Sequence, residues 1–177
     1  RFKDLLALTK PVVVLLLLAT TLTALLAGWG GWPPLTLVLW TLLGGALAAG
    51  GSSALNQFID RDLDKNMQRT ENRPIPAGRM YPAEGLAFAL ALCLSSYYIL
   101  ASFVNLVAAV LSLVGIVYYV LIYSIWLKKA TVQNIVIGGG AGAIPPMVGW
   151  AAATGRIDLS SILLFALVFF WTPPHFW

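Results

Sequence analysis

The sequence predicts an all-α fold, a polytopic transmembrane helical bundle. Three observations carry that expectation. Hydrophobic residues make up 59% of the 177 residues and charged residues only 10%, against roughly 25% in soluble domains. The apolar residues fall into six runs, each near the ~20 residues that cross a bilayer as a helix. The charge is gathered rather than spread. Asp60, Asp62, Asp64, Glu71, Arg61, Lys65, Arg69, Arg73 and Arg79 lie within residues 56–79 and are half of all the charged residues. A hydrophobic chain that collects its charge in one stretch is expected to do its chemistry there.

The runs, in order, are about 11–28, 35–55, 83–103, 106–127, 132–153 and 159–177. The first follows Arg1, Lys3 and Lys10, a basic flank that also opens signal peptides. It is long for a signal core, however, and no polar mature domain comes after it. A short uncharged Gly/Trp/Pro turn leads to the second run. The charged stretch then ends with Pro74, Pro76 and Pro82, which disfavour helix interiors. Asn105 marks a tight turn between the third and fourth runs, and Lys128 with Lys129 a polar break before the fifth. Gly138, Gly139, Gly140 and Gly142 in the fifth run allow close helix contact, and Pro145 and Pro146 predict a kink or break there. The single cysteine, Cys93, excludes a disulfide framework or a cysteine metal cluster and reads as a small buried hydrophobe.

Basic residues sort by side. Those before the first run, those at 61–79 and the Lys128–Lys129 pair all fall on one face of a six-span bundle, leaving only Arg156, balanced by Asp158, on the other. The positive-inside rule then puts the N-terminus and the acidic stretch in the cytoplasm, in a cell (cytoplasmic or inner) membrane. The net charge of +4 therefore reports topology and is no sign of nucleic-acid binding. Because the first residue is Arg1 and the last, Trp177, stands inside an aromatic run, the chain reads as one membrane-embedded domain, 1–177, truncated at its C-terminus.

Asn56, Asp60 and Asp64 are spaced i, i+4, i+8, so a helix carried on from the second run sets them on one face. Carboxylates so spaced repel unless a cation intervenes. Oxygen donors without His or Cys favour Mg²⁺, which keeps waters and takes substrate phosphates into its shell. Arg61, Lys65 and Arg69 repeat the spacing on an adjacent face, and Arg73 and Arg79 follow; arginine grips phosphate oxygens in bidentate fashion. The bland alternative, a solvated loop with ordinary ion pairs, fits the basic residues about as well. It fits Asn56, Asp60 and Asp64 poorly, because polar groups near the lipid boundary usually face a cavity.

The pattern Asn56-x-x-x-Asp60-x-x-x-Asp64, followed by Arg73-Pro74-Ile75-Pro76-Ala77-Gly78-Arg79, resembles the first aspartate-rich motif of the intramembrane aromatic prenyltransferase superfamily. Leu8-Thr9-Lys10-Pro11, Tyr123 to Thr131, Gln133-Asn134 through Gly149-Trp150, and Trp171-Thr172-Pro173-Pro174-His175-Phe176-Trp177 narrow the resemblance to its haem-farnesylating members. The resemblance implies a nine-span bundle of which six spans are present, with the second aspartate-rich motif lying after the sixth. It implies Mg²⁺-dependent transfer of a farnesyl group from farnesyl diphosphate to a vinyl group of haem B, giving haem O.

On this resemblance Asn56, Asp60 and Asp64 hold the metal, and Arg73, Arg79 and Lys128 neutralise the diphosphate. Asp60, Asp64 and Lys128 carry the catalysis. Tyr123, with Tyr118 and Tyr119, lines the cavity, where a ring face can stabilise a cation. His175, the only histidine, binds haem iron, bonds a propionate or accepts a proton. Each tyrosine reads equally as helix packing, and His175 as a structural residue. Two other functions stay open: a relative prenylating a quinone precursor or chlorophyllide, and a non-catalytic haem-binding or assembly protein. A CDP-alcohol phosphotransferase lacks its Gly and Ala-Arg pattern here, and a channel would spread its charges along several spans.

Overall fold

The computed structural model describes residues 1–127 and 134–176. Their regular secondary structure is helical, without strands. A short helix α1, Phe2–Thr9, precedes the first long one, α2, Pro11–Trp29. The joint is Lys10, in the left-handed region at φ 50° and ψ 66°, with Pro11 opening α2 at the position where a missing N–H costs nothing. α3 runs Leu35–Asp64, α4 Pro82–Phe103, and α5 Leu106–Val117, which continues as a π-helix over Tyr118–Leu127. α6 spans Asn134–Thr154 and α7 Leu159–Phe176.

Among the described residues, five helical segments are long and apolar enough to cross a membrane, and Leu159–Thr172 is a shorter apolar helix. The protein is a multi-pass membrane protein. Half of the apolar window of α6 is buried, against 17–33% for the others. α6 is therefore the inner helix, and the others present their large apolar side chains outward.

Three helices run on where hydropathy or proline could have ended them. The helix of the second span continues past residue 55, as the i, i+4, i+8 face requires: α3 has 30 residues, ~45 Å at 1.5 Å per residue, well beyond a hydrocarbon core of ~30 Å. Its last turns leave the apolar layer and carry Asn56, Asp60 and Asp64. α6 passes through Pro145 and Pro146 without ending. Each proline removes one amide donor, leaving the carbonyls of Ala141 and Gly142 without their usual i+4 partner, and the Thr21 hydroxyl of α2, bonded to the Leu17 carbonyl at 2.9 Å, also stands 3.3 Å from the Pro145 carbonyl. Likewise α7 continues through Pro173 and Pro174.

Small residues set the helix spacing. At the α3–α4 seam a Cβ on Gly51 would stand 2.6 Å from Cys93 Sγ, and Ser96 Oγ donates to the Gly44 carbonyl at 2.7 Å. Asn105 joins two helix ends. Its Oδ1 accepts from the Ala108 amide at 2.8 Å, capping α5, while its Nδ2 donates to the Ala151 and Ala152 carbonyls of α6 at 2.8 and 3.3 Å. Gln57 does the same for α1: Nε2 donates to the Leu8 and Ala7 carbonyls at 2.9 and 3.4 Å, satisfying oxygens that a helix C-terminus leaves open.

Candidate functional site

The face expected from the i, i+4, i+8 spacing exists. Asn56, Asp60 and Asp64 are 4%, 0% and 3% exposed, whereas the Asp62 side chain on the other side of α3 is 71% exposed and pairs with Lys65. Asn56 Nδ2 donates to Asp60 Oδ2 at 2.9 Å and to Ser124 Oγ at 3.0 Å. Ser124 Oγ in turn donates to the Tyr119 carbonyl at 3.0 Å, five residues back along the π-helix. This commits both amide hydrogens of Asn56 to the protein and leaves its carbonyl oxygen as its oxygen donor.

Asp64 pairs with Arg73 at 2.5 Å, and its main-chain carbonyl accepts from Thr70 Oγ1 at 3.2 Å. The loop carrying Arg73 is no solvated excursion. Ile75 and Met80 are 4% and 3% exposed and pack with Leu8, Ala54 and Ala89. Consecutive turns run from Asp64 to Met80, so Arg73 is delivered to Asp64 by a folded segment with its own apolar anchor. Replacing the ion pair by a single buried charge would be costly, because a carboxylate this deep needs its partner.

Tyr119 and Tyr123 stack with ring centroids 5.4 Å apart. Tyr119 lies close enough to Asp60 and Arg73 to feel both charges. Tyr123 fills the space over Gly138 of α6 and Tyr118 that over Gly140, while Tyr118 Oη donates to the Ile137 carbonyl at 2.7 Å. Tyr118 is thus a packing residue.

Two cavities meet at this end. One, about 350 Å³, is basic, bordered by Lys10, Arg69, Arg73 and Arg79 with Gln57 and Asn72. The other, about 340 Å³, is apolar and runs into the bundle between α2, α3, α5 and α6, past Val14, Leu17, Ala49, Ile116, Tyr119 and Gly142. Lys10 borders both, so the left-handed joint between α1 and α2 belongs to the walls of the two. Arg79 also ties the N-terminal helix to the loop, donating to Asp4 at 2.9 Å and to the loop carbonyl of Asn72 at 2.9 Å. Arg1 reaches Glu84 at 2.8 Å. The N-terminus and the charged loop are therefore at the same end of the bundle.

The structure thus gathers Asn56, Asp60, Asp64, Arg73, Arg79 and Tyr123 at one end. His175 falls in the last turn of α7, and its side chain is outside the described residues, as is all of Lys128. Arg61 and Lys65 behave as the bland reading has it. Arg61 sits 4.5 Å over the Phe58 ring and bonds the Phe58 carbonyl, and Lys65 pairs only with exposed Asp62, an arrangement worth ~0–1 kcal/mol. Ser124, Gln57 and Asp4 were not marked as site residues by the sequence. Ser124 left one faint signal, a lone hydroxyl in the apolar run Tyr123–Leu127.

Among the described residues no three His, Cys, Asp or Glu side chains converge as a metal cluster. The oxygen donors are two carboxylates and an amide. That set suits a hard cation that takes one or two carboxylates and completes its shell from water and phosphate.

Residues 17–177 match the UbiA prenyltransferase family. Among curated relatives, the protoheme IX farnesyltransferases of Roseiflexus sp. (strain RS-1), Symbiobacterium thermophilum and Gloeobacter violaceus are 55%, 50% and 55% identical. The matches cover 99%, 99% and 98% of this chain but 33%, 58% and 57% of those proteins, so the chain spans between one third and three fifths of their length. A solved UbiA homologue from Archaeoglobus fulgidus, bound to DMAPP and Mg²⁺, shares the fold with a TM-score of 0.81 at 19% identity, over 96% of this chain and 60% of that one. A digeranylgeranylglyceryl phosphate synthase structure does so at 0.83 and 16%, over 95% and 58%. By its motifs, its bundle and its sequence, the chain belongs to the UbiA prenyltransferase family.

Proposed function

We propose that this protein transfers the farnesyl group of farnesyl diphosphate to a vinyl group of haem B, giving haem O. The observation that carries the reading is the buried Asp60–Asp64 face, paired with Arg73 of the basic cavity, at the end of the bundle where Lys10 borders both that cavity and the apolar one. Such a junction suits a molecule with a diphosphate head and a hydrocarbon tail. The choice of haem as acceptor rests on the relatives that are half identical to this chain.

Asn56 Oδ1, Asp60 and Asp64 are the atoms that would hold Mg²⁺, which when bound stabilises charge on the departing diphosphate. Arg73, with Arg79 and Lys128, supplies fixed positive charge where the leaving oxygen turns negative. The Tyr119–Tyr123 stack presents ring faces to the allylic carbon as it becomes cationic. The dry walls of the cavity keep water from that carbon. The vinyl group attacks it, forming the carbon–carbon bond as the carbon–oxygen bond to diphosphate breaks. Water then adds to the cation left next to the porphyrin, and its proton leaves with the diphosphate. Haem B, farnesyl diphosphate and water thus balance haem O and diphosphate. His175 is assigned to the haem. The positive-inside pattern supports a cytoplasmic membrane with the N-terminus and acidic stretch inside.

The full-length protein in liposomes, given farnesyl diphosphate, haem B and Mg²⁺, is expected to yield haem gaining one farnesyl group and one hydroxyl by mass. EDTA should stop the reaction. Recovery of unchanged haem alongside prenylation of a quinone precursor or chlorophyllide would move the assignment to another branch of the family, and transfer to no acceptor would favour a haem-binding or assembly role.

A further inference from the structure

Four glycines line the apolar cavity: Gly45, Gly115, Gly138 and Gly142. Three of them are glycine because a neighbour occupies the space a Cβ would take. A Cβ on Gly45 would meet Leu18 at 3.3 Å, one on Gly115 would meet Ile144 at 3.2 Å, and one on Gly138 would overlap the Tyr123 ring. Gly142 is different. A Cβ there would meet nothing within 4 Å, so helix packing does not account for the missing side chain. A glycine inside a helix lowers its stability relative to alanine, and at this position that cost is not offset by a closer helix contact.

Gly142 does not look out at lipid by accident of register. Gly138, Ala141, Gly142, Pro145 and Val148 all border the cavity, and their spacing of three and four residues is one face of α6. Gly142 stands one turn, ~6 Å along the axis, beyond Gly138, where Tyr123 packs. It therefore stands a turn further along α6 than the residue Tyr123 covers, in the cavity it shares with Ala48, Ala49 and Ile116. The space beside it is kept open, and a leucine side chain there, with four carbons, would take up nearly the room of a five-carbon isoprene unit.

We infer that Gly142 sets the length of isoprenoid the cavity accepts, acting as a specificity-determining residue in the tail-binding part of the site. This rests on the proposed prenyl-transfer reading and adds to it the residue that measures the donor. Hydrophobic pockets discriminate by about tenfold or more for each methylene gained or lost, so filling the space by one isoprene unit has a large expected effect.

The test compares the full-length wild-type protein with Gly142→Ala and Gly142→Leu. Each is supplied with dimethylallyl, geranyl, farnesyl and geranylgeranyl diphosphates, with haem B as acceptor. In parallel, the rise in thermal midpoint produced by each diphosphate without acceptor is recorded. In Gly142→Leu the farnesyl-to-geranyl ratio of kcat/KM should fall by about tenfold or more, and the diphosphate giving the largest thermal rise should shift to a shorter chain. Gly142→Ala should move both readouts the same way by a smaller amount. Because its Cβ meets nothing, it decides the matter if the leucine variant is not recovered folded. A ratio unchanged within about twofold in the folded variants, with wild-type protein active, would overturn the inference and leave the prenyl-transfer reading standing. Wild-type protein that neither transfers nor is stabilised by any of the four would overturn both.

Discussion

Asp60→Asn is expected to lower kcat for farnesyl transfer by about a thousandfold, equivalent to about 4 kcal/mol of transition-state stabilisation. The substitution is nearly isosteric, and its amide oxygen can still accept the bond that Asn56 Nδ2 gives to Asp60 Oδ2. The link through Asn56 to Ser124 and the π-helix is therefore retained, and what is lost is one negative charge at a fully buried position. A fold defect would show as reduced recovery from the membrane. A metal-site defect shows as normal recovery, a normal thermal midpoint without ligand, and an almost inactive enzyme. Haem O formation within about tenfold of wild type would refute the role given to this carboxylate.

Gly149→Ala is expected to act on stability, and strongly for a single methyl group. The added Cβ would stand 2.9 Å from the Thr21 carbonyl carbon and 3.1 Å from the Leu25 amide nitrogen, and would overlap the Thr21 carbonyl oxygen. These are backbone atoms of α2, so no rotamer change relieves the contact, and α2 and α6 must separate. Overpacking costs ~1–3 kcal/mol, and the gain in helix propensity returns at most ~1 kcal/mol. With the obstacle in the main chain, a net loss of roughly 2 kcal/mol follows, a fall in thermal midpoint of about 4–8 °C for a domain of this size. The same substitution two turns earlier, at Gly142, has open space and should leave the midpoint unchanged or raise it. Equal midpoints for both variants would contradict the α2–α6 contact as described.

How much of this could be read from the chain alone depends on the range of the interactions. Asn56, Asp60 and Asp64 were legible as a face because helical periodicity is local, and the burial of all three against the exposure of Asp62 agrees with it. The turn at Asn105 was legible too, since asparagine caps helices, though its second task of bonding Ala151 and Ala152 depends on a partner 46 residues away. Hydropathy registers where lipid ends, so the second run stops near residue 55, while α3 goes on past that point as a helix whose polar face is covered by the π-helix and the loop. Of the kink or break expected at Pro145 and Pro146, a break is absent, and α6 runs on through both prolines. α1 was hidden because its eight residues become a helix through Gln57 and Arg79, both far along the chain. Ser124 has no periodic companion and acquires meaning only from Asn56.

The charged stretch also proved more ordered than its composition suggested. Ile75 and Met80 carry little weight in a scan for apolar segments, yet they anchor the loop that brings Arg73 to Asp64. Arg79 does double work, bordering the basic cavity while fastening α1 through Asp4.

The central claim, that the Asn56–Asp60–Asp64 face receives the metal and diphosphate while the apolar cavity receives the tail, is tested most directly by locating a metal. The measurement is anomalous diffraction from the full-length protein crystallised with Mn²⁺ and a non-hydrolysable farnesyl diphosphate analogue. A Mn²⁺ peak is expected about 2.1 Å from an Asp60 or Asp64 carboxylate oxygen, a metal–oxygen distance typical of Mg²⁺-type sites, with the analogue's chain running past Tyr119 towards Gly142. A metal held elsewhere, with Asp64 still closed on Arg73 and the chain outside the cavity, would contradict the central claim.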